Sequence, residues 1–221
     1  WSRGLGDVYK RQVIKLAVAY ERGEFVKVRN SSTRLRESLL KGDSWSELFF
    51  QLTRICVLST YFLDGLRAAQ HELELFQADY VRRHAGRATT IDVLSAMIWR
   101  LEWNPNEAAQ HLEILDGVDM HSAIGGFLLA EQRVLLHHEK PMVNDSPRGK
   151  IVSDLQTAQS QRGQTRRNAL ERSLWNAFKE GQIAPFLENR DALLGMASQI
   201  TSISGLRRHP IMLRLVNKIL K

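Results

Sequence analysis

Apolar residues recur every three or four positions along most of this chain, and this period constrains the fold more than any other feature. Residues at such steps share one face of an α-helix. Between residues 43 and 65, that face consists of Trp45, Leu48, Phe49, Leu52, Ile55, Cys56, Phe62 and Leu63. The opposite face is apolar as well, with Phe50, Val57, Leu58 and Tyr61. Such a helix is typically packed on two sides, as the inner helices of a stacked array are.

The same spacing predicts about ten helices and no β-sheet. Further apolar faces span residues 66–80, 91–101, 108–115, 120–135, 151–158, 170–178, 193–200 and 211–219. No stretch alternates with a period of two, as a half-buried strand would. The clearest loop is KPMVNDSPRG, residues 140–149, because two prolines with Asn, Asp, Ser and Gly favour turns. We therefore expect an all-α protein.

The helices are joined by junctions that resemble one another. They read AYERGEF (19–25), YFLDGLRAA (61–69), RLEWNPNEAA (100–109) and NAFKEGQIA (176–184). Each has an aromatic residue near the end of one helix and then Gly or Asn, which tolerate the left-handed conformation that ends many helices. In the last three, an alanine soon opens the next helix and allows close approach. We expect the aromatic residue to fill the wedge between neighbouring helix pairs.

The turn residues of these junctions are spaced at regular intervals. Gly23, Gly65, Asn104 and Gly181 are separated by 42, 39 and 77 residues. Because the last gap is about twice the others, a further junction is expected near residue 142. A two-helix unit of roughly 40 residues is typical of an α-solenoid, in which each unit packs mainly on its neighbours. We predict an α-solenoid of four to five tetratricopeptide-like helical hairpins, wound into a right-handed superhelix.

Three stretches resemble the helical domain of large LuxR-type transcription regulators of the maltose-regulator (MalT) kind. They are LAVAYERGEFVKV (16–28), AMIWRLEWNPNEAAQHLEIL (96–115) and RNALERSLWNAFKEGQIAPFLENRDALLGMAS (167–198). The third is the most specific. A helix is followed by a glycine, a Pro-Phe-Leu turn with an acidic residue, and Leu-Leu, here Gly181, Pro185, Phe186, Leu187, Glu188, Leu193 and Leu194. The resemblance covers most of residues 13–205.

This resemblance implies a sensor arm that lies between an ATPase domain and a helix-turn-helix. The partner is then a protein or small-molecule effector, and the full-length protein is expected to self-associate. The sequence lacks the G-x-x-x-x-G-K-[ST] phosphate loop, so no nucleotide cofactor is expected here. No helix-turn-helix is recognisable after Gly205, so DNA contact is expected only through a domain absent from this sequence.

The first twelve residues, WSRGLGDVYKRQ, resemble translated sequencing-adapter read-through at the end of a metagenomic reading frame. We therefore expect the natural sequence to start near Val13, as a fragment. The expected organisation is a non-native segment over 1–12, the helical repeat domain over 13–205, and a terminal helix over 206–221 that leads towards a missing helix-turn-helix.

The net charge is +7 and the isoelectric point about 9.8. This balance keeps a nucleic-acid-binding helical repeat open as an alternative function. The cationic residues are scattered, however, with three arginine doublets at 82–83, 166–167 and 207–208. That pattern is typical of solvated helix surfaces. A second alternative is a stand-alone tetratricopeptide-like adaptor between proteins.

A single cysteine, Cys56, excludes an internal disulfide framework and favours the cytoplasm. The sequence shows neither a signal peptide nor a run of about 18 apolar residues, so no membrane partner is expected. These features predict a cytoplasmic protein.

The sequence contains only incomplete candidates for a catalytic or metal-binding site. His71-Glu72 begins like the zinc motif H-E-x-x-H, but Leu75 stands where the second histidine belongs. His137 and His138 are adjacent, so their rings point about 100° apart on a helix. Cys56 is expected to be buried and unreactive. We predict no catalytic, cofactor-binding or metal-ligating residue, and therefore no enzyme.

Four residues form a candidate partner surface. Trp99 and Trp103 are expected one helical turn apart, where they either line a binding groove or pack between repeats. Arg166 and Arg167 are expected at the start of a helix, where positive charge is mildly unfavourable. That placement suggests a surface for an acidic partner.

Overall fold

The computed structural model describes residues 2–41, 46–82, 89–117, 123–137, 146–203 and 216–217. These residues form helices and no strand, which confirms the all-α prediction. Helices of nine or more residues are α1 (Ser2–Glu21), α2 (Phe25–Lys41), α3 (Ser46–Asp64), α4 (Leu66–Val81), α5 (Thr89–Leu101), α6 (Pro105–Glu113), α7 (Ala123–His137), α8 (Pro147–Ser160) and α9 (Gly163–Glu180). Shorter helices are α10 (Ala184–Leu187), α11 (Arg190–Leu194) and α12 (Ala197–Thr201).

The chain divides into two compact units. The first contains Trp1–Tyr20 and Glu24–Leu136, and the second contains Glu21–Gly23 and His137–Lys221. Within each unit, helices pack mainly on their neighbours in sequence: α2 on α3, α3 on α4, α5 on α6, and α8 on α9. The solenoid winding and its handedness stay predictions.

Helix α3 is the centre of the first unit. Every residue from 52 to 60 is buried, so the helix is covered on all sides over more than two turns. It packs against α2, α4 and α5. The structure thus confirms that the two apolar faces in the sequence mark a helix packed on two sides. Cys56 and Val57, which come from opposite faces, both belong to the core.

Aromatic side chains connect the first two junctions. Tyr20 is fully buried, and its ring centroid lies 5.6 Å from that of Phe25 at the start of α2. Phe25 in turn stacks on Phe62 in the last turn of α3, with 4.9 Å between centroids. These contacts give Tyr20 and Phe62 the packing role that the sequence predicts, whereas Trp103 of the third junction is 62% exposed.

Three turns share one backbone pattern, which differs in part from the prediction. The N–H groups of Glu24, Asn104 and Gln182 each donate to the carbonyl oxygen five residues earlier, at 2.9, 3.0 and 3.0 Å. In this arrangement the residue before the donor is left-handed. Those residues are Gly23 (φ 72°), Trp103 (φ 61°) and Gly181 (φ 66°). They are separated by 80 and 78 residues, about twice the predicted repeat.

The prediction that Asn104 is the left-handed residue is wrong. Asn104 has φ −110° and is the N-cap of α6, where its side chain accepts a hydrogen bond from the N–H of Glu107 at 3.3 Å. Pro105 follows at the first helical position, which its ring favours. The left-handed position therefore falls on Trp103.

Gly65 forms a turn of a different kind. Its N–H donates to the carbonyl of Tyr61 at 2.9 Å, and the same residue is the N-cap of α4. Its dihedral angles, φ 85° and ψ −171°, lie in a region that is accessible mainly to glycine. One residue therefore ends α3 and begins α4, so this junction is not equivalent to the other three.

Several helices begin or end at residues other than those that the sequence predicts. Helix α8 already begins at Pro147, inside the predicted loop, because the Ser146 hydroxyl accepts from the N–H of Gly149 at 3.0 Å. Gly163 begins α9 and does not end α8. The helix predicted over 193–200 is broken into α11 and α12. The junction expected near residue 142 and the terminal helix over 206–221 lie outside the described residues, apart from two helical residues at 216–217.

Residues 2–12 of the adapter-like segment are part of helix α1. Residues 7–12 have exposed or half-buried side chains, and the first buried side chain described in this helix is Val13, at 1% exposure. Leu16, Ala19 and Tyr20 continue the buried face. The foreign origin of residues 1–12 stays a prediction.

The second unit is built on the α8–α9 hairpin. Its core contains Ile151, Leu155, Ala158, Ala169, Leu170, Leu174, Ala177, Phe186, Leu193, Met196, Ile200, Ile203 and Val216. An ionic cluster lies at one side of this unit. Arg148 Nη1 is 3.2 Å from both carboxylate oxygens of Glu21, and Nη2 contacts the fully buried carboxylate of Glu188.

Candidate binding groove

An open groove of about 890 Å³ lies in the first unit, between α4 and α5, with a contribution from α6. Its lining on α4 recurs at helical spacing: Gln70, Leu73, Glu74, Gln77, Ala78 and Val81. On α5 the lining residues are Ile91, Ser95, Ile98 and Trp99, and His111 comes from α6. We call this feature the α4–α5 groove.

The sequence of α4 explains why one of its sides is left open. Ala69, Leu73 and Phe76 are buried on α4, which packs extensively on α3. The residues one position further along, Gln70, Glu74 and Gln77, lie about 100° around the helix. Contact between α4 and α5 is much less extensive than between α3 and α4. The groove occupies the space that this looser packing leaves.

The groove has an apolar floor and a polar rim. Leu73, Ile91 and Ile98 are at most 6% exposed, so they form the floor. Glu74 is on the rim, and 79% of its side-chain surface is exposed. Among the described lining residues, Glu74 is the one with a permanently charged side chain. The Nδ1 atom of His71, on the same helix, is 3.7 Å from a Glu74 carboxylate oxygen.

His111 lies over a buried carboxyl group. Its Nδ1 is 3.8 Å from Oδ1 of Asp92, which is 1% exposed in the first turn of α5. That distance exceeds a hydrogen bond, and Nδ1 has no hydrogen-bond partner among the described residues. The buried Nδ1 atom of His111 therefore faces the Asp92 carboxyl group without forming a hydrogen bond to it.

The two tryptophans of the predicted partner surface are separated by the structure. Trp99 is half-buried, packs against the core and also lines the groove. Trp103 is 62% exposed and is not among the described lining residues. The expectation that they lie one helical turn apart is wrong, because α5 ends at Leu101 and Trp103 is left-handed.

The arginine doublet lies in the second unit and makes contacts within it. The Nε atom of Arg166 donates to the carbonyl oxygens of Ala158 and Gln161, at 2.9 and 2.7 Å. It thus satisfies carbonyls at the end of α8, which lack partners within the helix. Arg167 donates to the carbonyl of Ser202 at 3.3 Å. These bonds give both arginines a role in the fold of the second unit.

A second, smaller depression of about 550 Å³ follows one face of α9. Its described lining residues are Asn168, Glu171, Arg172, Trp175, Asn176 and Lys179. Arg172 already pairs with Asp154 at 2.7 Å, and Trp175 packs edge-on against Phe178. The described lining thus contains charges of both signs, and one of its two cations is already paired.

The remaining candidates for a catalytic or metal-binding site are Cys56 and the histidines. Cys56 is 3% exposed, accepts a hydrogen bond from Ser32 Oγ at 3.0 Å, and burial raises the pKa of its thiol to about 11. Within the described ranges, no three His, Cys, Asp or Glu side chains are grouped to hold a metal ion. His138 lies outside the described residues.

The α4 side of the groove is not predicted by the sequence. Gln70, Glu74 and Gln77 carry the pattern of an ordinary solvated helix face, and periodicity alone does not distinguish the two. Searches with the whole chain found no matching protein-family model, no matching curated protein and no matching solved structure. In the part of the chain that the structure describes, no helix has the length and apolar content needed to cross a bilayer.

Proposed function

We propose that this chain is a non-catalytic helical-repeat scaffold that binds a segment of a partner, or an effector, in the α4–α5 groove. The observation that carries the proposal is the groove itself: an apolar floor, a polar rim and a tryptophan wall. Its volume of about 890 Å³ falls in the range of known ligand sites, roughly 300–1,000 Å³. Half-buried aromatic side chains such as Trp99 are the residues that most often dominate binding energy.

Two features support a binding role over a catalytic one. The thiol of Cys56, with its pKa raised by burial, is a poor nucleophile at neutral pH. The described residues of the groove bring together the exposed carboxylate of Glu74, the buried carboxyl group of Asp92 and the imidazole of His111. Ser95 lines the same groove, but its hydroxyl donates a hydrogen bond to the carbonyl oxygen of Ile91 at 3.0 Å.

The parent protein that we propose is a LuxR-type regulator of the MalT kind, with this chain as its sensor arm. The support is the resemblance of residues 16–28, 96–115 and 167–198 to that family. The second of these stretches contains Trp99 and His111, so the family-like segment contributes to the groove. A partner would regulate such a protein if it bound the resting and active states with different affinities. The complete reading frame tests this proposal, because it should encode an ATPase domain upstream.

Nucleic-acid binding is the weaker alternative. Arg166 and Arg167 form hydrogen bonds within their own unit, and the permanent charge on the described groove lining is negative. A salt titration with single-stranded and duplex oligonucleotides tests it, because phosphate contacts make affinity fall steeply with salt. Steeply salt-dependent binding would favour this alternative.

The groove is tested directly by filling it. Ala78 is exposed on the rim, so Ala78→Trp adds an indole without displacing the core. A display library of random 14-residue peptides is selected on the original chain, and the selected peptides are then measured on the variant. We expect peptides that bind in the groove to lose affinity by at least about tenfold, because their apolar side chains can no longer be buried in a groove that the indole fills. Gln110→Trp, on the exposed face of α6, is the matched control and should leave affinity unchanged. A library without any peptide sensitive to Ala78→Trp would refute the proposed function.

A further inference from the structure

The shape and charge of the α4–α5 groove specify the kind of partner, and this inference rests on the proposed function. We propose that the groove takes a short amphipathic helix whose apolar side chains enter the groove and whose lysine or arginine meets Glu74. The partner is thus a cationic helical segment of another protein.

The length of the groove matches a helix of about three turns. Its lining runs along α4 from Gln70 to Val81, eleven residues on. At 1.5 Å per residue this is about 16 Å. On α5 the lining runs from Ile91 to Trp99, about 12 Å. An elongated trough between two helices, with an apolar floor, is the usual seat of an amphipathic helix, which inserts side chains at steps of three and four.

The charge of the groove selects the partner. Glu74 lies in the middle of the α4 lining, with Gln70 and Gln77 about one turn away on either side. The described lining contains no lysine or arginine. Across an interface, like charges oppose binding and opposite charges steer it. A cation on the partner therefore finds a carboxylate at the centre of the trough and amide groups beside it.

The sequence on the α6 side of the groove has the same sign. Residues 101–132 contain six acidic residues and no lysine or arginine, although the whole chain has 31 cationic and 24 acidic residues. This stretch includes α6, which contributes His111 to the groove. The end of the groove next to Val81 differs, because the sequence between α4 and α5 contains Arg82, Arg83 and Arg87. Trp99 adds an indole, on which a guanidinium group can stack with a gain beyond simple burial.

The experiment uses the peptide selection described above and asks which peptides are groove-dependent. We expect those sensitive to Ala78→Trp to carry lysine or arginine beside an apolar stripe with helical spacing. A proline placed in the middle of such a peptide should abolish binding, because it breaks the helix. Glu74→Lys should weaken binding by about five- to tenfold, and more at low salt than at high salt. Glu37→Lys makes the same change in charge on an exposed position of α2 and should alter binding less than about twofold.

The outcomes separate the two proposals. The proposal of a cationic helical partner would be refuted if groove-dependent peptides were neutral or acidic, still bound with the proline, or bound the Glu74→Lys variant equally well. The groove would then still be a binding site. A selection without any groove-dependent peptide would overturn both.

Discussion

The carbonyl oxygen of Trp99 accepts a hydrogen bond from the N–H of Asn104 at 3.0 Å, as the carbonyl of Ala177 does from Gln182. In the second case a glycine, Gly181, takes the left-handed position that the bond requires. In the first case this position is held by Trp103, whose side chain is largely exposed. The turn at residues 99–104 therefore has tryptophans where its counterpart has alanine and glycine.

Trp103→Gly and Trp103→Ala should differ in stability although both remove the indole. A residue with a Cβ, such as alanine, is destabilised by about 1 kcal/mol in the left-handed conformation, whereas glycine adopts this conformation without that cost. We expect the glycine variant to have the larger free energy of unfolding, by about 1 kcal/mol, in urea titrations. Equal stabilities would mean that the backbone at residue 103 is not held in the left-handed region.

Gly181→Ala should destabilise the protein by about 1 kcal/mol. A Cβ at this residue meets no atom within 4 Å, so the cost is conformational and not steric. Gly195→Ala is the control, because Gly195 has φ −64°, which suits any residue. Thermal and urea unfolding should show a loss for the first variant and little change for the second. A similar loss in both would indicate that φ is not the cause.

Arg148→Ala should destabilise the protein by about 3–5 kcal/mol, because it breaks the contact between its guanidinium group and the fully buried carboxylate of Glu188. Arg172→Ala removes an exposed arginine that pairs with Asp154, and it should cost less than about 1 kcal/mol. Urea titrations of the two variants measure the difference. Comparable losses would contradict the view that burial decides the strength of these ion pairs.

Cys56→Ala should change how stability depends on alkaline pH. Burial raises the pKa of the thiol from 9.0 to about 11, so the folded state favours the neutral form. The stability contributed by this shift is complete below pH 9.0 and is lost as pH rises towards 11. The original chain should therefore lose up to about 3 kcal/mol more than the variant over this window. Parallel stability curves would show that the thiol titrates normally, and iodoacetamide should then react readily at pH 8.

Much of the helical architecture could be predicted because it depends on local spacing. The two apolar faces of residues 43–65 identify α3 as an inner helix, and Gly181 ends α9 as expected. At residue 104, a local signal in the sequence indicates the observed structure. Asn104 is followed by Pro105 and, three residues on, by Glu107, which is the pattern of a helix start.

The groove could not be predicted in the same way. Its existence depends on how closely α4 and α5 approach each other, whereas periodicity reports only which face of each helix is apolar. Gln70 and Gln77 would have the same sequence pattern on an open surface. Trp99 is a candidate in the sequence because it stands four residues before Trp103, a spacing of one helical turn. The sequence does not single out His111, because its proximity to Asp92 depends on the packing of α6 on α5.

Glu21 is the last residue of α1, yet it groups with the second unit. Its carboxylate pairs with Arg148, and its carbonyl oxygen accepts from the N–H of Ile183 at 2.6 Å. A fragment that starts at residue 137 would therefore lack both groups, so Arg148 would keep its contact with Glu188 but lose Glu21, and the N–H of Ile183 would lose this acceptor. When the second unit is expressed alone, a synthetic peptide that covers residues 21–23 should be added to it. We expect the unit to regain its native structure only when this peptide is bound.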